Sequence, residues 1–127
     1  MDNLYIPAGR DTPEVDFRFD AHRLSLAGEA YPENAAAFFG PLLAATRRYL
    51  QQRDGRPLEV HIDLAYFNSS STKVLFDLFS LLDQAAAREN GVQVVWHYDP
   101  EDEMSLEFEQ DLAAEFRHLD CQARSKP

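Results

Sequence analysis

Alternating apolar and polar residues near the start of the chain predict a β-hairpin. The period-2 pattern in Glu14–Phe19 and again in Arg23–Leu26 is typical of half-buried strands. Residues 20–22, Asp-Ala-His, form the turn between them. Leu4–Ile6 is a candidate for a short edge strand beside this hairpin.

The rest of the chain alternates between helical and strand patterns. Apolar residues at three- and four-residue steps predict amphipathic helices over 33–52, 71–88 and 104–116. The runs LEVHIDL at 58–64 and VQVVWHY at 92–98 predict strands, and a short final strand is expected within 118–123.

This order of elements predicts an α/β fold. Strands that alternate with helices favour a partly parallel sheet, and the opening hairpin makes the sheet mixed. The length of 127 residues is that of one domain, so we expect a single domain over 1–127. Binding sites in such folds usually lie at the carboxyl ends of the strands, where the segment YFNSSSTK, residues 66–73, is expected.

Charge and composition exclude several classes of function. The chain has 22 acidic and 12 basic residues, a net charge of −10 and a pI near 4.7. Nucleic acids and anionic membranes are bound through clustered Lys and Arg, so neither is an expected partner, whereas a protein with a basic face is compatible. No secretory signal or membrane-length apolar run is present and there is one cysteine, so we expect a cytoplasmic protein.

The serine cluster in residues 66–73 supports two interpretations. Asn68 or Ser69 is expected to cap the helix that follows, but a cap requires only one side chain and does not explain three successive serines. The free amides and the dipole at a helix start also favour an anion, so a phosphate esterified to a serine would be stabilised there. Lys73, one turn further on, would be an additional counter-ion.

The acidic segment after the strand at 92–98 has three possible uses. Asp99 and Glu101–Glu103 are expected on the same edge as the serines, where carboxylates could hold Mg²⁺ in a small Mg²⁺-dependent enzyme. More often such a run forms a solvated helix start, and a docking surface for a basic partner is a third use. The four histidines lack metal-binding spacing and no GxSxG pattern is present, so no enzymatic activity, cofactor or metal is expected.

One aromatic residue is predicted to be exposed on the helix after the serines. On a helical wheel Phe76 lies away from the apolar stripe, beside Thr72. An exposed aromatic side chain near the serines suits a protein interface, to which we also assign Tyr66. Alternatively, the N-terminal hairpin or a loop covers Phe76.

Three stretches together resemble the bacterial SiaC family of regulatory phosphoproteins. They are SLAGEAYPENAAAFFGPLL, YFNSSSTK and WHYDPEDEMSLEFEQDLA, in matching order across nearly the entire chain. The chain departs from the family pattern at two positions. Ser69 stands where the family usually has threonine, and Ala30 replaces a serine before Tyr-Pro-Glu-Asn.

The resemblance implies a STAS-like fold, similar to anti-sigma-factor antagonists, and a phosphorylation switch. It implies a Ser/Thr protein kinase that modifies Ser69, with Ser70 and Ser71 as second choices, and a PP2C-like phosphatase that reverses this. Asn68, Ser70 and Lys73 would surround the phosphate. The unphosphorylated form would bind and activate a diguanylate cyclase, promoting cyclic-di-GMP synthesis and biofilm formation. The alternative within this fold is an anti-sigma-factor antagonist that switches between other partners.

Overall fold

The computed structural model describes all residues 1–127 and contains one six-stranded sheet and three helices. The elements are β1 Leu4–Ile6, β2 Glu14–Arg18, β3 Arg23–Ala30, α1 Ala35–Gln51, β4 Leu58–Phe67, α2 Ser69–Arg88, β5 Val92–Tyr98, α3 Glu103–Glu115 and β6 Asp120–Ser125. A single 3₁₀ turn joins β2 to β3. The predicted order of strands and helices is therefore confirmed.

The sheet is mixed, as the sequence pattern predicts. The strands lie in the order β1-β2-β3-β4-β5-β6. The first three are antiparallel, which includes the predicted hairpin of β2 and β3, and β3 to β6 are parallel. Helices α1, α2 and α3 each connect two neighbouring parallel strands, which is the arrangement expected when strands and helices alternate.

All three helices pack on the same face of this sheet. Trp96 of β5 points to that face and is 1% exposed, in register with the buried Ile62 of β4. Its indole ring lies 6.2 Å from the ring of Phe79 in α2 and 5.8 Å from that of Phe108 in α3. Phe39 of α1 lines a small apolar cavity with side chains of β2, β3 and α2. The domain thus has two layers, with the opposite face of the sheet uncovered by helices.

Two boundaries near the serines differ from those predicted. β4 continues to Phe67 rather than ending at Leu64, and α2 begins at Ser69 rather than Ser71. The extension arises because β3 pairs with β4 beyond a register shift after Gly28, which places Ala30 opposite Phe67. This long-range pairing overrides the local alternation of the sequence, and the connection between β4 and α2 consists of Asn68 alone.

Candidate functional site

The three helices begin at one edge of the sheet, and an Asn or Asp side chain caps each of them. Each helix follows a strand of the parallel part, so the three N-termini lie at the carboxyl ends of β3, β4 and β5. The caps accept hydrogen bonds from the third helical N–H: Asn34 from Ala37 at 3.1 Å, Asn68 from Ser71 at 3.0 Å and Asp102 from Ser105 at 3.0 Å. The positive ends of three helix dipoles therefore meet along this edge.

The hydroxyl groups at the start of α2 lie in different environments. Ser69 and Ser70 are exposed, whereas Ser71 is fully buried and its Oγ has no hydrogen-bond partner. Thr72 is half-buried, and its Oγ1 donates to the Asn68 carbonyl at 3.1 Å. Of these four residues, Ser69 and Ser70 therefore expose their hydroxyl groups to solvent.

Lys73 is placed where it can interact with a group on Ser69. It lies four residues after Ser69 in the same helix, so the two side chains share one face. Lys73 is exposed and makes no salt bridge within the chain. Its ammonium group is therefore free to pair with an anion at the helix start.

An apolar cavity of about 390 Å³ opens beside Ser69, between the first turns of α2 and α3. Phe67 and Phe108 form its inner wall, with ring centroids 5.3 Å apart. Tyr66 and Met104 line its mouth and are 53% and 81% exposed. We call this cavity the α2–α3 groove.

The α3 side of the groove is fixed to the sheet by a buried hydrogen bond. The indole Nε1–H of Trp96 donates to Ser105 Oγ at 2.9 Å, and the Ser105 N–H is held by the Asp102 cap. The ring of Phe67 lies edge-on to Trp96 at 6.0 Å. The groove therefore has a rigid base beneath its exposed mouth.

The sequence pattern did not identify Met104, Phe108 or Tyr31 as parts of a site. Tyr31 precedes α1 and lies 5.6 Å from the ring of Tyr66, so it extends the exposed aromatic surface away from the groove. Each of these residues is more than 30 positions away from the serines in sequence. No local pattern indicates such contacts, so only the folded structure brings them together.

Phe76 is 44% exposed, in agreement with the helical wheel. Its ring packs against Phe116, just after α3, at 4.9 Å. The partial cover over Phe76 therefore comes from the loop that follows α3, which is one of the two predicted alternatives, and not from the N-terminal hairpin. Phe76 lies two turns along α2 from Ser69 on the same helical face, and it does not line the groove.

The acidic segment before α3 is organised by backbone hydrogen bonds. Asp99 Oδ1 accepts from the Glu101 N–H at 2.8 Å, and Asp102 caps the helix. No group of three or more His, Cys, Asp or Glu side chains is arranged to hold a metal ion. The carboxylates of this segment line a second cavity that adjoins the α2–α3 groove, which makes this side of the edge strongly anionic.

The histidines do not assemble with Ser69 into a catalytic triad. His97 Nε2 lies 2.9 Å from Nδ1 of His61, and both rings project from the face of the sheet opposite the helices. Burial, followed by the neighbouring His61, lowers the pKa of His97. The other ring nitrogen of His61 contacts Glu59 at 2.5 Å. This polar cluster is separate from the serine edge.

Fold and site define a class of protein: a small two-layer α/β domain with exposed hydroxyls at a capped helix start beside an apolar groove. Residues 6–126 match the SiaC family of regulatory phosphoproteins, and the chain belongs to that family. An uncharacterized protein of Pseudomonas aeruginosa strain UCBPP-PA14 is 40% identical over 122 residues, which is 95% of this chain and 91% of that protein. None of the helices is long and apolar enough to cross a membrane.

Solved structures of the family have the same fold. Apo-SiaC from Pseudomonas aeruginosa is 34% identical, with a TM-score of 0.84 over 98% of this chain and 100% of that one. A crystal structure of the diguanylate cyclase SiaD in complex with its activator SiaC, from the same organism, matches at 34% identity and a TM-score of 0.86. That match covers 95% of this chain and 99% of the other. The predicted STAS-like α/β architecture is thus that of SiaC.

Proposed function

We propose that this protein is a phosphorylation-controlled activator of a diguanylate cyclase and that Ser69 is its phosphoacceptor. The supporting observation is the exposed Ser69 at the first position of a capped helix, in a chain that matches the activator SiaC over 95% of its length. In this role it acts by binding, not by catalysis. Its output is control of cyclic-di-GMP synthesis, and through it biofilm formation.

Ser69 is favoured over its neighbours by access and by the surrounding charges. Ser71 is buried, and the Thr72 hydroxyl is engaged by the Asn68 carbonyl. The first N–H groups of a helix have no partner within the helix, and Asn68 occupies only that of Ser71 through its side chain. A phosphate on Ser69 could therefore accept from free amides and pair with Lys73, whereas Ser70 does not line the groove.

The phosphate would weaken partner binding through charge and bulk. It adds close to two negative charges at the groove mouth of a protein that already carries −10. In the unmodified form, Tyr66, Thr72 and Phe76 contribute to the partner surface around Ser69. Burying a doubly charged group in that surface opposes binding, and a coupling of about 1–3 kcal/mol would change the affinity roughly 5–150-fold.

Two further enzymes complete the proposed switch. A Ser/Thr protein kinase transfers the γ-phosphoryl group of ATP to Ser69 Oγ, and a PP2C-like phosphatase hydrolyses the resulting ester. Because the kinase requires ATP, we place the switch in the cytoplasm.

Mapping the modified residue tests the assignment. The protein is incubated with ATP and the Ser/Thr kinase of its own cell, and the phosphate is located by mass spectrometry. Ser69→Ala should abolish modification, and the matched variant Ser70→Ala should retain it. Phosphate on Ser70 with Ser69→Ala unaffected would overturn the site, and pull-down of an anti-sigma kinase instead of a diguanylate cyclase would overturn the partner.

A further inference from the structure

We infer that the α2–α3 groove receives a large apolar side chain of the diguanylate cyclase, and that a Lys or Arg next to that side chain pairs with the carboxylates at the start of α3. This inference rests on the proposed function and assigns the part of the surface that makes the contact. It adds Met104 and the acidic start of α3 to the interface residues.

The size and lining of the groove suit an apolar side chain. Its volume of about 390 Å³ is enough to admit a large one, and half of the ten lining residues are hydrophobic. Phe67 and Phe108 provide an apolar inner wall, while Met104 projects from the rim with 81% of its surface exposed. Methionine adapts to the shape of a bound group, which makes an exposed Met at a groove mouth suitable for protein binding.

The groove is also preformed, because the Trp96–Ser105 hydrogen bond and the Asp102 cap hold the first turn of α3. A rigid groove loses little conformational entropy when a partner binds. Central apolar pockets of this kind usually carry most of the binding free energy in an interface.

Charge at the rim selects the kind of segment that can bind. No Lys or Arg occurs between Arg88 and Arg117. Asp99, Glu101 and Asp102 line the adjoining cavity, and Asp102 also lines the groove itself. Lys126 reaches this adjoining cavity but pairs with Asp63. The uncompensated negative charge therefore favours a basic residue beside the apolar side chain that enters the groove.

The position of Ser69 connects the groove to the switch. Ser69 lines the groove on the α2 side, opposite Met104 and the α3 carboxylates. A phosphate on its Oγ would lie where the partner's apolar side chain enters, and it would draw the partner's basic residue away from the carboxylates of α3. Phosphorylation thus narrows the entrance and adds the cost of removing the charged phosphate from water when the apolar side chain is bound.

Substitutions at exposed positions test this inference without unfolding the protein. Met104→Ser should weaken binding to the full-length cyclase by at least about tenfold in calorimetry. Tyr5→Ser is the matched control, because Tyr5 is 60% exposed and lies on the edge strand β1, at the other side of the sheet. The Tyr5→Ser variant should bind the cyclase with the affinity of the wild type.

Charge reversal tests the second half of the inference. Glu103 is exposed at the first position of α3, between the groove-lining residues Asp102 and Met104. Glu103→Lys should slow association and reduce the dependence of affinity on salt between about 0.05 and 0.5 M NaCl, because salt screens exposed charges. Glu115→Lys makes the same charge change on an exposed residue at the other end of α3 and should leave both unchanged. Wild-type binding with unaltered affinity in Met104→Ser and Glu103→Lys would overturn the groove, whereas absence of wild-type binding would overturn the proposed function itself.

Discussion

Removal of the Asn68 side chain should lower the stability of the domain by about 1–2 kcal/mol. Loss of an Asn cap generally costs about 0.5–2 kcal/mol. The upper half of this range applies because Asn68 Oδ1 bonds the N–H of Ser71 at 3.0 Å and Ser71 is fully buried. Water cannot easily replace the lost acceptor, so the N–H remains unsatisfied.

The matched variant is Asn34→Ala, which removes a cap of the same geometry from α1. Asn34 accepts from the Ala37 N–H at 3.1 Å, but this bond lies at the exposed surface, where water can take over. Its loss should cost only about 0.5–1 kcal/mol. Asn68→Asp keeps an oxygen acceptor and adds a negative charge at the helix start, so it should retain the stability of the wild type.

Urea denaturation followed by circular dichroism measures these differences. For a domain of this size, Asn68→Ala should also lower Tm by roughly 4–8 °C. Equal stability of Asn68→Ala and wild type, or a larger loss in Asn34→Ala, would refute the view that burial of the Ser71 amide determines the cost.

Three other predictions concern residues outside the groove. Glu109 is 5% exposed and burial raises its pKa, so its ionisation at neutral pH destabilises the folded state. Glu109→Gln removes this charge, so calorimetry should show a higher Tm than that of the wild type at pH 7 but not at pH 4. The buried Arg53 donates to three backbone carbonyls beyond the ends of α1 and α2, so Arg53→Met should cost about 2–3 kcal/mol in urea titration, and a loss below about 0.5 kcal/mol would contradict this. The pKa of His97 is lowered in the fold, so the unfolded chain binds its proton more tightly, and the stabilising effect of neutral His97 is lost as pH falls below about 6.5. In His97→Gln the urea midpoint of unfolding should therefore change less between pH 7.5 and 5.5 than it does in the wild type. The same pH dependence in both proteins would exclude this contribution.

The fold was predictable from sequence because its two periodicities alternate clearly. Period-2 runs identify β2, β3 and the first part of β4, and three- and four-residue steps identify the three helices. β5 follows from its β-branched and aromatic residues, and the opening hairpin follows from its short turn. Strand ends were less predictable. β4 reaches Phe67 only because β3 pairs with it across a register shift, although Ala65 and Tyr66 break the alternation of buried and exposed residues.

The candidate site was predictable only where its chemistry is local. The cap at Asn68 and the serines beside it follow from residue types at a helix start. The contact of Phe67 with Phe108 and the position of Met104 depend on how α3 packs beside α2, and no spacing in the sequence encodes this. The cover of Phe76 by Phe116 is non-local for the same reason.

The central claim is tested most directly by comparing one protein in two states. Protein phosphorylated stoichiometrically at Ser69 and the unmodified protein are titrated separately into the diguanylate cyclase by isothermal calorimetry. The account predicts that the unmodified form binds and that phosphate on Ser69 weakens its affinity roughly 5–150-fold. Equal affinity of the two forms would contradict it.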